Sequence, residues 1–138
     1  MTNPAIIRDE TGTQRLLGYE VDISQAPLGI CRLQADARHL NRSGVVHGGL
    51  LATLLDNASG VAASLTLDPT GRRPFVTLSL TTHFLAPAHE GLLEARGRVT
   101  GGGRRTLFID AELHDGDGRL VATSCGVFKP ARLPEATP

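Results

Sequence analysis

The sequence predicts an α+β fold in which one long helix packs on one face of an antiparallel β-sheet of about six strands. First, 138 residues with 41% apolar side chains can bury one hydrophobic core but not two. We therefore expect a single domain over residues 1–138, with frayed ends and an ordered part at about 15–130. Second, residues 50–65 form the longest stretch with helical periodicity. Third, two strand-like runs precede this stretch and four follow it.

The two runs before the helix are predicted to form a hairpin. Residues 16–23 and 28–34 flank residues 24–27, a turn that contains proline and polar residues. A glycine-rich segment then leads into the helix, which is ended by Asp68, Pro69 and Gly71.

Four further strands are predicted after the helix, at residues 75–85, 91–100, 105–114 and 119–129. Short turn clusters at 101–103 and 115–118 make the last three of these strands antiparallel neighbours. Apolar residues alternate with charged ones along the strands predicted at 91–100 and 105–114, so one face of the sheet is expected to be more exposed to solvent than the other. The single helix must then cover the other face.

The composition excludes several classes of partner and site. Fourteen basic and fourteen acidic residues give a net charge of zero, so no long-range field attracts nucleic acid or an anionic membrane. No apolar run is long enough to span a membrane and no signal peptide is recognisable, so we expect a soluble, cytoplasmic protein. Cys31 and Cys125 lie far apart without metal-ligand spacing, and we expect both to be buried as small apolar side chains.

The helix has an unusual second face. Opposite its leucine-rich face it presents small residues around a single acidic residue, Asp56. Because a solvent-facing helix would carry several charges, this face is expected to be covered by a partner subunit or a ligand. A carboxylate in such a contact costs free energy unless it is paired, and enzymes use this setting for a general base or nucleophile. A structural Asp bonded to the backbone or to a neighbouring Ser or Asn fits the same pattern.

The start of the helix is a candidate oxyanion site. His47, Gly48 and Gly49 stand where the helix begins. Glycines at this position let a substrate approach free backbone N–H groups at the positive end of the helix dipole.

A known signature covers this region. Residues 39–62 read HLNRSGVVHGGLLATLLDNASGVA and resemble the signature of PaaI-like acyl-CoA thioesterases with the hotdog fold, namely Asn, Gly, His-Gly-Gly and an acidic residue nine positions after the His. The resemblance extends over about 19–129 and includes FLAPA (84–88), GRR (103–105) and DGRLVA (117–122). It implies a long central helix wrapped by a curved sheet, homodimers with sheets joined edge to edge, often homotetramers, and no metal or cofactor.

The resemblance also implies residue roles. Asp56 matches the catalytic carboxylate, acting as nucleophile or as base toward water, and Gly48 matches the backbone N–H that polarises the thioester carbonyl. Asn41 matches a residue that positions water or that carbonyl, His47 lies beside the site, and Thr77 matches a hydroxyl that orients the water. One subunit would supply Asn41, His47 and Gly48, and its partner would supply Asp56 and Thr77.

Each of these roles has a structural alternative. His47 is equally expected as a structural hydrogen-bonding residue, and Asn41 as a turn or cap residue. Thr77 alternates with apolar residues and shares a face with Ser79, Thr81 and His83, which a solvated strand face also explains.

Three further residues are candidates for substrate binding. Gly49 stands next to the expected oxyanion donor. Arg104 and Arg105 follow three glycines and are expected to meet CoA phosphates at a subunit edge, although the run is first of all a hairpin turn.

The function predicted best is hydrolysis of a small aryl- or acyl-CoA to the free acid and CoA. A hotdog hydroxyacyl dehydratase and a non-catalytic acyl-CoA-binding protein are the alternatives. The dehydratase is disfavoured because the His stands before the helix and Asp56 follows nine residues later, an arrangement that is closer to the thioesterases. The binding protein is disfavoured because no cation near Asp56 in sequence neutralises it.

Overall fold

Seven strands and two α-helices make up residues 3–133, the part of the chain that the computed structural model describes. In chain order they are β1 (Ile6–Ile7), α1 (Gly12–Leu17), β2 (Glu20–Asp22), β3 (Gly29–Ala35), α2 (Gly48–Leu65), β4 (Phe75–Phe84), β5 (Gly91–Gly102), β6 (Leu107–Asp115) and β7 (Leu120–Pro130). A 3-10 turn, Ala37–His39, lies between β3 and α2.

All strands join one antiparallel sheet in the order β1-β2-β3-β5-β6-β7-β4. The predicted hairpin before the helix and the three consecutive neighbours after it are confirmed. The seventh strand is β1, whose two residues are too few to show any alternation in sequence. The long helix α2 lies against one face of the curved sheet, which is the hotdog architecture expected above.

Helix α2 rests directly on the middle of the sheet. Gly29 of β3 pairs with Gly97 of β5, and a Cβ atom on either glycine would lie within 2.6 Å of the carbonyl oxygen of Ala58. Only glycine allows this close approach of helix and sheet backbones. On either side of the contact, leucines fill the core, since Leu51, Leu54 and Leu55 are almost fully buried. This packing fixes the position of Asp56, which lies in the same turn of the helix.

Residues 1 to about 14 were expected to be frayed; this expectation is wrong for the elements found at residues 6–14, and residues 1 and 2 lie outside the described residues. Thr11 Oγ1 accepts a hydrogen bond from Gln14 N–H and begins α1, which occupies the first part of the strand predicted at 16–23. Gln14 is buried and donates from Nε2 to the carbonyl oxygen of Ile7 in β1, at 2.8 Å. Only Glu20–Asp22 of the predicted strand remains in the sheet. At the other expected frayed end, residues 134–138 lie outside the described residues.

The second face of α2 is only partly available to a partner. Ser59 and Ala63, predicted to lie there, are fully buried inside the chain itself. Ala63 packs with Ile109 and Phe128, because the sheet curves around more than one side of the helix. Ala52, Asp56 and Gly60 are the half-buried remainder.

The two cysteines differ from each other. Cys31 is buried as expected, and burial raises the pKa of its thiol. Cys125 is exposed, contrary to expectation, because its side chain lies on the face of the sheet that α2 does not cover. Among residues 3–133, no helix is both long and apolar enough to cross a membrane.

Candidate active site

Asp56 and Thr77 form a hydrogen-bonded pair between helix and sheet. Asp56 is half-buried on α2, and its Oδ1 accepts a hydrogen bond of 2.7 Å from Thr77 Oγ1 on β4. The two residues that the resemblance assigned to one subunit are therefore in direct contact. One carboxylate oxygen of Asp56 is held by this contact.

A β-bulge turns Thr77 toward the helix. In the pairing of β4 with β7, Thr77 lies opposite Phe128 and Ser79 lies opposite Val127, so Leu78 has no partner of its own. Phe128 is buried under the helix, and its partner Thr77 faces the same way. The prediction that Thr77 shares a face with Ser79 is therefore wrong, because one extra residue reverses the alternation of the strand.

A cavity of about 450 Å³ opens beside this pair. Asp56, Asn57 and Val61 of α2 form one side, and Phe75 and Thr77 of β4 form another. Its volume is in the range of pockets that take small organic ligands. The carboxylate therefore lies at the wall of a space large enough for an acyl group.

Tyr19 borders the same cavity and was not predicted as a site residue. It is almost fully buried just before β2. Burial raises the pKa of its phenol and the charge of Asp56 adds to this, while the side chains of Thr11 and Asn57 act in the opposite direction. The phenol stays protonated at neutral pH and remains a hydrogen-bond donor. Its only signal in the sequence is that it is the single tyrosine of the chain.

A second candidate region lies at the start of α2. Gly48 is the first residue of the helix, and within the described residues its N–H has no hydrogen-bond acceptor. It borders a separate cavity of about 370 Å³ together with Asn41 and Phe84. A free N–H at a helix N-terminus is a suitable donor for a carbonyl oxygen that gains negative charge.

The neighbouring His47 and Gly49 bond to each other. Gly49 N–H donates to His47 Nδ1 at 2.9 Å, so the imidazole caps the helix. The N–H of Gly49 is therefore occupied in this arrangement, and of the two glycines that begin α2 only Gly48 has an N–H without an acceptor among residues 3–133. Substrate binding by Gly49 stays a prediction. His47 has the structural role that was its alternative, although its exposed ring remains beside Gly48.

Asn41 combines a turn role with a position at the site. Its Oδ1 accepts hydrogen bonds from the N–H groups of Ser43 and Val45, at 2.9 and 3.3 Å. Within residues 3–133 its Nδ2 makes no hydrogen bond, and the residue borders the same cavity as Gly48. The amide nitrogen is therefore available as a second donor.

A single chain does not bring the two regions together. Gly48 and Asp56 are eight residues apart on one helix, about 12 Å along its axis. They border different cavities. Asp56 and Thr77 form one half-site, and Asn41, His47 and Gly48 form the other.

Arg104 and Arg105 lie exposed in the turn between β5 and β6. Gly103 N–H closes this turn on the carbonyl oxygen of Thr106 at 2.8 Å. Across the sheet, Gly102 pairs with Leu107, Leu107 with Phe128, and Phe128 with Thr77, so the turn lies at the same end of the sheet as Thr77. Neither arginine has an ion-pair partner among residues 3–133. In the same range, no three His, Cys, Asp or Glu side chains are grouped so that they could bind a metal.

Comparison with known proteins identifies the family. A Pseudomonas aeruginosa protein named as a candidate esterase is 41% identical over 100 residues, which is 72% of each chain. Human acyl-coenzyme A thioesterase 13 is 31% identical over 112 residues, or 79% of this chain and 78% of that one. The crystal structure of a Bacillus halodurans protein with CoA superposes with a TM-score of 0.81 at 26% identity, covering 93% of this chain and 83% of the other. The sequence pattern of the thioesterase superfamily matches residues 43–122, more than half of the sequence, and this chain belongs to that superfamily.

Proposed function

We propose that this protein hydrolyses the thioester of a small aryl- or acyl-CoA, releasing the free acid and CoA. The observation that carries the proposal is the pair of half-sites on α2: a carboxylate held by Thr77 beside a cavity, and a free N–H at Gly48. These are the two groups that thioester hydrolysis needs, namely a base or nucleophile and a donor for the oxyanion.

In the base route, Asp56 takes a proton from water while the water oxygen attacks the thioester carbon. Thr77 holds Oδ1 of Asp56, so Oδ2 is the oxygen free to accept that proton. The carbonyl oxygen gains negative charge, which Gly48 N–H and the helix dipole stabilise. The C–S bond then breaks, and the CoA thiolate takes up the proton.

In the nucleophile route, the free oxygen of Asp56 attacks the thioester carbon itself. The C–S bond breaks, CoA leaves as the thiolate, and an anhydride remains between Asp56 and the acyl group. Water then attacks the Asp56 carbonyl carbon of the anhydride, which regenerates the carboxylate, releases the acid and supplies the proton that the CoA thiolate takes up. Both routes use the same donor, Gly48, and the same orientation of Asp56. Incorporation of ¹⁸O from labelled water into Asp56 during a single turnover occurs only in the nucleophile route.

The two half-sites are proposed to meet across a homodimer. Strand β4 is the outermost strand on its side of the sheet, so one of its edges has no partner strand among residues 3–133. Val76 and Leu78 on it are 41% and 50% exposed. Exposed apolar residues on an open strand edge favour pairing with another strand, and a two-fold axis there would join two sheets. Asp56 and Thr77 of one subunit would then face Gly48 and Asn41 of the other.

Mixing two inactive variants tests the shared site. Gly48→Pro and Asp56→Asn homodimers each lack one half of every site. After denaturation and refolding together, a heterodimer has one intact site and one doubly altered site, so about a quarter of wild-type activity should return in an equal mixture. No recovery, with heterodimers verified by mass spectrometry, would contradict sharing. Sedimentation of the wild-type protein shows whether it is a dimer or the homotetramer that many relatives of this fold are expected to form.

Arg104 and Arg105 are proposed to bind CoA phosphates. Both are exposed cations at the end of the sheet where Thr77 lies, and the Bacillus halodurans relative was crystallised with CoA. Replacing both with Ala should raise KM for an acyl-CoA and leave KM for the acyl-pantetheine analogue, which lacks the nucleotide, unchanged. An equal effect on both substrates would refute phosphate contact.

A panel of aryl-, short-chain and medium-chain acyl-CoAs, assayed by release of free thiol, tests the reaction itself. Thiol release shows hydrolysis. Hydration of unsaturated acyl-CoAs without thiol release would identify a dehydratase, and binding of acyl-CoA without turnover would identify a binding protein. We also propose a cytoplasmic location, which the two free thiols of Cys31 and Cys125 support and cell fractionation tests.

A further inference from the structure

The cavity beside Asp56 continues along α2 to a second group of polar atoms. Asp56, Gly60 and Ser64 lie at four-residue intervals on one side of the helix, and all three border the cavity. Ser64 is about 12 Å from Asp56 along the helix axis. Between them, Gly60 leaves open space, since a Cβ atom there would meet nothing within 4 Å. The space is therefore elongated and begins at the proposed reacting centre.

Much of the cavity wall is apolar. The apolar side chains come from both the helix and the sheet, namely Val21, Val61, Phe75 and Phe128. Such walls suit the methylene chain of an acyl group better than the polar pantetheine arm of CoA. The acyl chain is thus the part of the substrate expected to run toward Ser64.

The far end contains donors without partners. Within residues 3–133, three buried side-chain atoms lack a hydrogen bond, and two of them, Ser64 Oγ and Arg73 Nε, belong to residues that border this cavity. Ser64 is 2% exposed. A helical serine normally bonds to the carbonyl four residues before it, as Ser59 does to Leu55 at 2.8 Å. Ser64 makes no such bond, and an unpartnered buried hydroxyl is costly unless a ligand pairs with it.

Arg73 is the charged residue bordering this end of the cavity that has no carboxylate partner among residues 3–133. The neighbouring Arg72 is paired with Glu10, whose carboxylate it contacts at 2.7 and 2.9 Å, so these two charges offset each other. Arg73 has no carboxylate within 4 Å in the described part of the chain, and its guanidinium makes one long hydrogen bond, from Nη2 to the carbonyl of Ala131 at 3.3 Å. Arg73 and Ser64 thus form a positively charged, donor-rich end to an apolar cavity.

We propose that this end binds the terminal carboxylate of the acyl chain, so that the preferred substrates are CoA monothioesters of medium-length dicarboxylic acids. The proposal rests on the proposed thioesterase function and adds the class of acyl group. Arg73 supplies the opposite charge and Ser64 a hydroxyl donor, while Asp56 lies at the thioester end. A site built to pair with a polar group discriminates strongly against the analogue that lacks it.

The test compares octanoyl-CoA with the monothioester of CoA and octanedioic acid, which have the same chain length. Wild-type protein should have a kcat/KM at least tenfold higher for the dicarboxylic substrate. Ser64→Ala and Arg73→Gln should each reduce this ratio by roughly tenfold to a hundredfold, the effect of losing a hydrogen bond to a charged group. Arg73→Lys keeps the charge and should keep most of the preference. Ser59→Ala, whose hydroxyl is bonded to the helix backbone, should leave the ratio unchanged.

Three results would overturn the proposal. Equal kcat/KM for the two substrates in wild-type protein, with clear hydrolysis of both, would refute the carboxylate site and leave the thioesterase function intact. An equal loss on both substrates in Arg73→Gln would assign the arginine to a CoA phosphate instead. If no CoA thioester is hydrolysed, the thermal midpoint is measured with and without free octanedioate. A rise of the midpoint in wild-type protein that is lost in Arg73→Gln supports the carboxylate site. No rise in wild-type protein refutes the site.

Discussion

Thr77 donates a hydrogen bond of 2.7 Å from Oγ1 to Oδ1 of Asp56, although the two residues belong to different elements and are 21 positions apart. The bond joins the exposed edge strand β4 to the helix that carries the carboxylate. It orients one oxygen of Asp56, and among residues 3–133 the other oxygen makes no hydrogen bond, while the residue itself borders the cavity. The consequences for catalysis can be measured separately for each partner.

Asp56→Asn should lower kcat by roughly 10²-fold to 10⁴-fold, because the amide is neither a base nor a nucleophile. Its Oδ1 can still accept the hydrogen bond from Thr77, so the thermal midpoint should stay within a few degrees of wild type and acyl-CoA binding should survive. Hydrolysis and melting are measured on the same sample. Retained hydrolysis with a lowered midpoint would make Asp56 a structural residue.

Thr77→Val should lower kcat by roughly tenfold or more, because Asp56 then loses the donor that orients it while the shape of the side chain is kept. Thr77→Ser retains the hydroxyl and should restore most of the activity. Steady-state kinetics of both variants give the comparison. An unchanged kcat in Thr77→Val would show that the hydroxyl is not needed to orient Asp56, and a loss in Thr77→Ser as large as that in Thr77→Val would show that the methyl group is needed as well.

Gly48→Pro should reduce kcat by about 10²-fold or more by deleting the proposed oxyanion donor. The substitution suits the fold, because proline is favoured at the first position of a helix and His47 has a ψ of 130°, outside the α region that a following proline disfavours. Gly48→Ala is the control, since it keeps the N–H and places Cβ at an ordinary 3.6 Å from Phe84. Normal turnover in folded Gly48→Pro would place the donor elsewhere.

Two substitutions at Gly60 distinguish effects on the stability of the fold from effects on the access of substrate to the cavity. Gly60→Ala should raise the free energy of unfolding by roughly 0.5 to 1 kcal/mol, because alanine is the better residue inside a helix and its Cβ has open space. Gly60→Leu should also fold, but its side chain fills the cavity beside Asp56. Its kcat/KM for medium-chain substrates should fall much more than that for acetyl-CoA. Equal values across chain lengths would show that the acyl chain does not occupy this cavity.

The pH dependence of stability should reflect an ion-pair cluster on β2, β3 and β5. Burial by itself raises the pKa of Asp22, but hydrogen bonds from Ser24 and Arg32 outweigh it and leave that pKa below its usual value. Burial also raises the pKa of Glu94, but hydrogen bonds from Arg32 and Arg96 outweigh it and leave that pKa below its usual value. Carboxylates with lowered pKa values stabilise the fold above their usual pKa, and this contribution disappears as the pH falls through the folded values.

Arg32→Met should therefore destabilise the protein by roughly 1 to 3 kcal/mol at neutral pH. The difference from wild type should shrink as the pH falls below about 4, where Asp22 and Glu94 become protonated. Arg96→Gln, which removes a more exposed partner of Glu94, should cost less than about 1 kcal/mol. Thermal midpoints of wild type and both variants, measured from neutral pH to below about 4, test these expectations. If the difference between Arg32→Met and wild type does not change with pH, Asp22 and Glu94 are not the groups that Arg32 stabilises.

The sequence by itself determined the elements whose signals are local. Helical periodicity over residues 50–65 and turn residues between the later strands depend only on neighbours in the chain, and both predictions match the structure within two or three residues at most boundaries. The glycines before α2 and the spacing to Asp56 likewise identified both halves of the candidate site. These signals predicted the order of the elements and pointed to Asp56 and Gly48, whereas the roles of Asn41 and Thr77 were implied by the family resemblance.

Tertiary structure decided what depends on contacts between distant segments. The bulge at Leu78, which turns Thr77 toward Asp56, arises from the pairing of β4 with β7 and leaves no mark in the alternation of the sequence. Helix α1 and strand β1 depend on the buried contact of Gln14 with Ile7, and the burial of Ser59 depends on the curvature of the sheet. Tyr19 and Arg73 reach the cavity only because the chain folds back beside α2. Register, curvature and enclosure are properties of packed segments, so periodicity along one segment cannot determine them.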